Sequence, residues 1–489
     1  MPNEWKKEDE LRRDDEFVEI NIKALAEAFQ TTFKESIIPD SNRFRFWMEN
    51  SKKIERPIYV RMMIYAMQAH LKEKNFNQLN EWLTFCEWVL SHSDQEHDAD
   101  YRPSDESKEN PNWSNSRRAV GDFIGVCLEK EVDIPIIARE QLAKLLETIC
   151  TQYDWPLDEN HPKVMNEYDP LTEGINNTRS RALENLVTFG FWLRDLTTIL
   201  ERRFSSEANY PLTLPEYAIL GKNYPWICSL NETWAIKHKS DFFPQSKLPE
   251  WGVAFSSFVL GNQAFKPIFK ILKDEFNFAL RHLRNIKNRN RGGHEPIAVL
   301  GERLFNYYLL DMFPLKGQES LLERFYQQTD KKYWANLFND IGHRLWKTGK
   351  HLNQNTEDRV RKFCDWRLKF EEPTELQYFT TWLQAECLDP EWRLKAYSKV
   401  LDICEVEDWG MHVKTLCEML PNHTEMVVEC FFKLTEGTKK DNIHIQKEEA
   451  NAILKAGRES KDDSVRSKTK LIRENLLNSG RFVLPDLED

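Results

Sequence analysis

The sequence is poor in chain breakers: 17 glycines and 21 prolines in 489 residues, about two thirds of the average share. That scarcity excludes collagen-like and Gly/Pro-rich chains and leaves room for long helices. No run of about 18 apolar residues occurs, so no membrane-spanning helix is read and no membrane partner is expected. The stretch from Met1 to Phe17 is crowded with charges where a signal peptide places apolar residues, and a cytoplasmic location is expected. Nor is there a CxxC pair. The nine cysteines (86, 127, 150, 228, 364, 387, 404, 417 and 430) are scattered and odd in number, and read as reduced, buried thiols rather than a disulfide or zinc framework. Strand signals are sparse, with no alternating β-branched run long enough to build a sheet.

What is present is rich in both apolar and charged residues. Hydrophobic residues make up 40% of the chain, with 16 Trp and 29 Phe, and charged residues 30%, the mixture expected of amphipathic helices with one wet face. The net charge of -11 disfavours nucleic-acid binding by the surface as a whole, because phosphate would be repelled.

Apolar residues recur at spacings of three and four almost throughout. Ile22, Leu25, Phe29 and Phe33 form one stripe, Val60, Ile64, Met67 and Leu71 a second, and Leu79, Trp82, Cys86 and Val89 a third; three short helices are therefore expected before residue 91. Asp169-Pro170 and Asp389-Pro390 each read as an N-cap followed by proline in the first turn. Beyond residue 245, helices are expected at about 264–287, 296–312, 319–347, 355–370, 374–386, 390–404, 409–419, 423–436, 446–458 and 462–479. No strict period of about 34 or 40 residues is present, so the expected fold is all-α, an irregular HEAT/TPR-like α-solenoid of antiparallel helix pairs. The expected organisation is an N-terminal helical cap (1–90), an acidic loop or insert (91–112), a helical-repeat subdomain (113–245) and a C-terminal helical-repeat array (246–489). The insert holds seven acidic and two basic residues and almost nothing apolar. Prolines 211, 215, 225, 244 and 249 predict short helices ahead of the last boundary.

Motifs of catalysis are absent. Neither GxxxxGK[ST] nor GxGxxG occurs, so no phosphate-cradling loop is read, and HExxH and GxSxG are missing as well. Arg291-Gly292-Gly293-His294 precedes Pro296 and reads as a helix-to-helix turn. His343 and His351 flank the Thr348-Gly349 break and read as surface residues rather than ligands. No catalytic, cofactor or metal residue is assigned, and no cofactor is expected. Dispersed carboxylates leave a metal-dependent nuclease or hydrolase as an alternative, and a general protein-interaction scaffold as another.

The most suggestive cluster is Arg281, Arg284, Lys287, Arg289 and Arg291, five cations within an acidic protein. They form a candidate surface for an acidic partner or for phosphate, the one local route to nucleic acid. The plainer reading is that cations gather at a helix C-terminus, where they offset the dipole, and then run into a loop. The tryptophans at 82, 88, 192, 334, 346, 366, 382, 392 and 409 read mostly as packing residues, with an exposed minority available as interface anchors.

The segment Asp169-Pro-Leu-Thr-Glu-Gly-Ile-Asn176-Asn-Thr-Arg179-Ser-Arg181-Ala-Leu-Glu184 resembles a motif in the helical C-terminal region of large bacterial antiphage proteins, of the form D-P-[VL]-T-x-A-I-N-S-x-R-G-x-A-L. Gly174 stands where alanine is usual, and Ser180 where glycine is. From the residues alone, Asp169 and Pro170 start a helix, Ile175, Ala182 and Leu183 are expected to bury, and Asn176 with Arg179 to tie two helices through polar contacts; Arg181 belongs to the same line, in a structural part. Asn112-Trp113, Arg117-Arg118-Ala119-Val120, Ile341-Gly342-His-Arg-Leu345-Trp346, Trp366-Arg367 and Leu477-Asn478-Ser-Gly480-Arg-Phe482 follow the same order, so the resemblance spans about 110–485. It implies the sensor portion of signal-transducing ATPases and sirtuin-linked defence proteins. The expected function is accordingly a non-catalytic recognition module that binds a phage protein or a partner effector subunit, with any catalytic effector on another domain or chain.

Overall fold

The computed structural model describes residues 22–54, 56–92, 113–129, 132–152, 169–176, 178–193, 197–204, 211–286, 295–349, 352–406, 409–436 and 447–478. All regular structure among them is helical, and the helices stack on one another as antiparallel neighbours. No helix among the described residues is long and apolar enough to cross a membrane. The chain divides into two compact units, Met1–Asn262 with Arg284–Pro296, and Gln263–Leu283 with Ile297–Asp489. Residue 245 lies within the first, between the helices Lys239–Phe242 and Leu248–Gly261. Of the acidic segment, residues 93–112 lie outside the described residues.

In the first unit the helices form two rows. Pro57–Lys72, Trp113–Cys127, Thr178–Leu193, Leu214–Leu230 and Leu248–Gly261 pack in succession along one, and Leu79–Leu90, Arg139–Gln152 and Thr197–Phe204 along the other. The apolar stripes face the space between the rows: Val60, Ile64, Met67, Leu71, Trp82, Cys86 and Val89 are fully buried. Ser41–Ser51 is a fourth element before residue 91, beyond the three read from the sequence. It carries one buried apolar side chain, Phe44, too little for a stripe, and is started by the Asp40 carboxylate accepting from the backbone N–H groups of Asn42 and Arg43.

The proline-rich stretch holds a 17-residue helix, Leu214–Leu230, where short helices were predicted. Pro215 and Pro249 occupy first turns, where a missing N–H is of no consequence, and only Pro225 lies inside the helix. Leu214–Leu230 and Leu248–Gly261 approach closely because Gly221 has no side chain. A Cβ there would fall 2.1 Å from the Ala254 carbonyl oxygen.

The second unit repeats the plan. Gln354–Leu368, Pro390–Ile403, Thr424–Glu436 and Asp463–Asn478 form one row, and Thr380–Leu383, Trp409–Glu418 and Lys447–Arg458 the other. The helix expected at 319–347 is two, Leu321–Gln328 and Lys331–Lys347, because Thr329 and Asp330 are both extended. The one expected at 374–386 is likewise two, Pro373–Leu376 and Thr380–Leu383. The first of these short helices is fixed by its side chain. Glu375 turns inward to accept from Arg367 Nη2 at 2.7 Å, from Arg367 Nε at 2.9 and 3.0 Å, and from the Tyr326 hydroxyl at 3.2 Å. The guanidinium lies 3.8 Å from the Tyr326 ring centroid, with the rings of Phe370, Trp366 and Trp334 at 4.6, 4.9 and 5.3 Å. Arg367 is 1% exposed and Glu375 not at all.

A buried pair of this kind recovers its desolvation cost only while both partners are present. Glu375→Ala is expected to lower the stability of the second unit by about 3–5 kcal/mol, and the double change Arg367→Met with Glu375→Leu to cost markedly less. Urea unfolding of the three proteins checks this; equal losses in the single and double variants would remove the ion pair from its assigned role.

Candidate binding groove

The helix Pro170–Asn176 begins at Asp169, whose carboxylate accepts from the N–H groups of Leu171 and Thr172, each at 3.1 Å, and from the Thr172 hydroxyl. Gly174 then lies against the helix Leu214–Leu230: a Cβ would sit 2.8 Å from the Pro215 carbonyl oxygen, so alanine would push the helices apart. Ile175, expected to bury, is 42% exposed. With residue 174 turned to the neighbouring helix, the residue about 100° further round faces outward. Ala182 and Leu183 are fully buried. No description extends to the side chain of Asn176.

Arg179 is the polar tie between helices here. It donates through Nε and Nη2 to Glu216 at 3.1 and 2.8 Å, and through Nη2 to the Pro211 carbonyl at 3.1 Å, with 4% and 0% of the two side chains exposed. Glu216 also accepts from the N–H and hydroxyl of Thr213, two residues ahead of Pro215. One carboxylate thus caps the N-terminus of Leu214–Leu230 and fastens Thr178–Leu193 to it.

Two residues on, Arg181 reaches the opposite side of the same helix, where a groove of about 520 Å³ opens in the first unit. Its polar wall is a chain of charges drawn from three helices. Arg181 lies 3.8 Å from Asp122 and 2.5 Å from Glu184, and Glu184 accepts from Lys222 at 2.7 Å. Burial raises the Asp122 carboxyl above its usual range, against the pull of Arg118 and Arg181. Burial acts the same way on Glu184, but the bonds from Lys222 and Arg181 prevail and hold it below the usual value. Asn185 fixes the floor by donating to the Gly121 carbonyl at 2.7 Å. At one edge Phe191 and Trp226, 41% and 57% exposed, meet edge to face with ring centroids 5.8 Å apart.

Phe191 and Trp226 were not among the residues singled out from the sequence. Leu214–Leu230 is buried on most of its circumference, and Ile219 and Val187, seven and four residues before Trp226 and Phe191 on the same helix faces, are buried, so helical register does not mark the pair.

Of the basic segment, Arg281 and Arg284 lie among the described residues. Arg281 ends the helix Lys266–Arg281, exposed, with its guanidinium 5.7 Å from the Phe278 ring centroid. Arg284 is exposed on the turn Leu283–Ile286. The two belong to different units, and Lys287, Arg289 and Arg291 lie outside the described residues. Among the catalytic groups weighed, His343 is exposed with its ring 6.1 Å from that of Trp346, and His351 lies outside the described residues. Burial pushes the thiols of Cys228 and Cys430 up to about 12 and that of Cys404 up to about 11, so they are protonated and weakly nucleophilic at neutral pH. Among the described residues, no group of three His, Cys, Asp or Glu is placed to hold a metal ion.

No family model, no curated protein and no solved structure matches the chain.

Because the Glu184 carboxyl is held low, its contribution to stability is present above the ordinary carboxylate value near 4.5 and is lost as pH falls through the lower folded value. Glu184→Gln should therefore cost on the order of 1 kcal/mol at neutral pH, with the difference closing as pH falls well below 4.5. Thermal unfolding across that range measures it, and a difference independent of pH would contradict the charge chain.

Proposed function

We propose that this chain is a helical-repeat recognition module of a bacterial antiphage defence system, binding a phage protein or a partner effector subunit through the groove between Arg181 and Trp226. The observation that carries the binding role is the Phe191–Trp226 pair, exposed beside a charged wall. Rigid aromatics and arginine contribute most of the energy of protein interfaces, and a groove edged by them offers an anchor and a polar rim together. The defence context comes from the resemblance of the segment 169–184 and the lines that accompany it. Within this proposal the cations at Arg281, Arg284, Lys287, Arg289 and Arg291 serve as a second contact for an acidic partner.

Co-expression of the tagged chain with phage genes, followed by pull-down and mass spectrometry, is expected to retain one phage or effector protein. Phe191→Ala with Trp226→Ala should weaken that complex by about 10- to 100-fold with unchanged circular dichroism. Retention of no partner, or equal retention by the double variant, would count against the groove. Reversing Arg284, Lys287 and Arg289 to Glu should weaken the complex most at low salt; an unchanged affinity would return the segment to a solvated helix end. The purified chain is expected to hydrolyse neither nucleotide nor nucleic acid.

A further inference from the structure

We draw no further inference here: the strongest candidate, the recess of about 650 Å³ between the helices Ser41–Ser51 and Leu79–Leu90 of the first unit, lined by Phe44 and Phe85, has a charged lining of both signs in Arg45, Lys52, Glu49 and Glu81, and nothing in the structure shows what covers it.

Discussion

Each unit is organised about an arginine and a glutamate placed where water does not reach. Such a pair contributes little net stability against an apolar substitute, yet it enforces geometry, because a displaced partner leaves a bare charge in the core. In the first unit this requirement joins Thr178–Leu193 to the start of Leu214–Leu230 through Arg179 and Glu216. In the second it seats the short helix Pro373–Leu376 under an arginine enclosed by four aromatic rings. The surrounding apolar stripes supply the driving force for burial, and the ion pairs choose among the registers that burial alone would allow.

The helical class and most helix positions were legible because both rest on local rules. Period, caps and first-turn prolines depend on neighbours a few residues away, and Asp389-Pro390 illustrates them: the carboxylate accepts from the Trp392 N–H at 2.8 Å at the start of Pro390–Ile403. Departures arose where packing rather than local pattern decided. The helix expected at 374–386 is interrupted at 377–379, just after Glu375 turns inward to Arg367. Proline counts misled around 211–249, since the position of a proline within a turn matters more than its number. Ile175 looked apolar and therefore buried, but Gly174 had already taken the inward place.

The candidate sites were less legible still. Arg181 was in view as part of a motif, but its companions Asp122, Glu184 and Lys222 come from three helices and meet only through packing. The aromatic pair at Phe191 and Trp226 lies on helix faces whose other apolar residues are buried, so its exposure was not legible either. The groove is a recess between neighbouring helices of one row, where side chains of successive helices converge without any one helix carrying a motif.

The two-row plan has a mechanical consequence. Within each unit a helix touches chiefly the helices beside it in its row and across from it, so the chain is held by a ladder of short-range couplings rather than by one central knot. A small rotation at one junction passes to the next and accumulates with distance, as in a spring made of rigid coils. Close backbone contacts such as Gly221 against Ala254 are the stiff rungs of that ladder. Their spacing along each row sets where it bends under load.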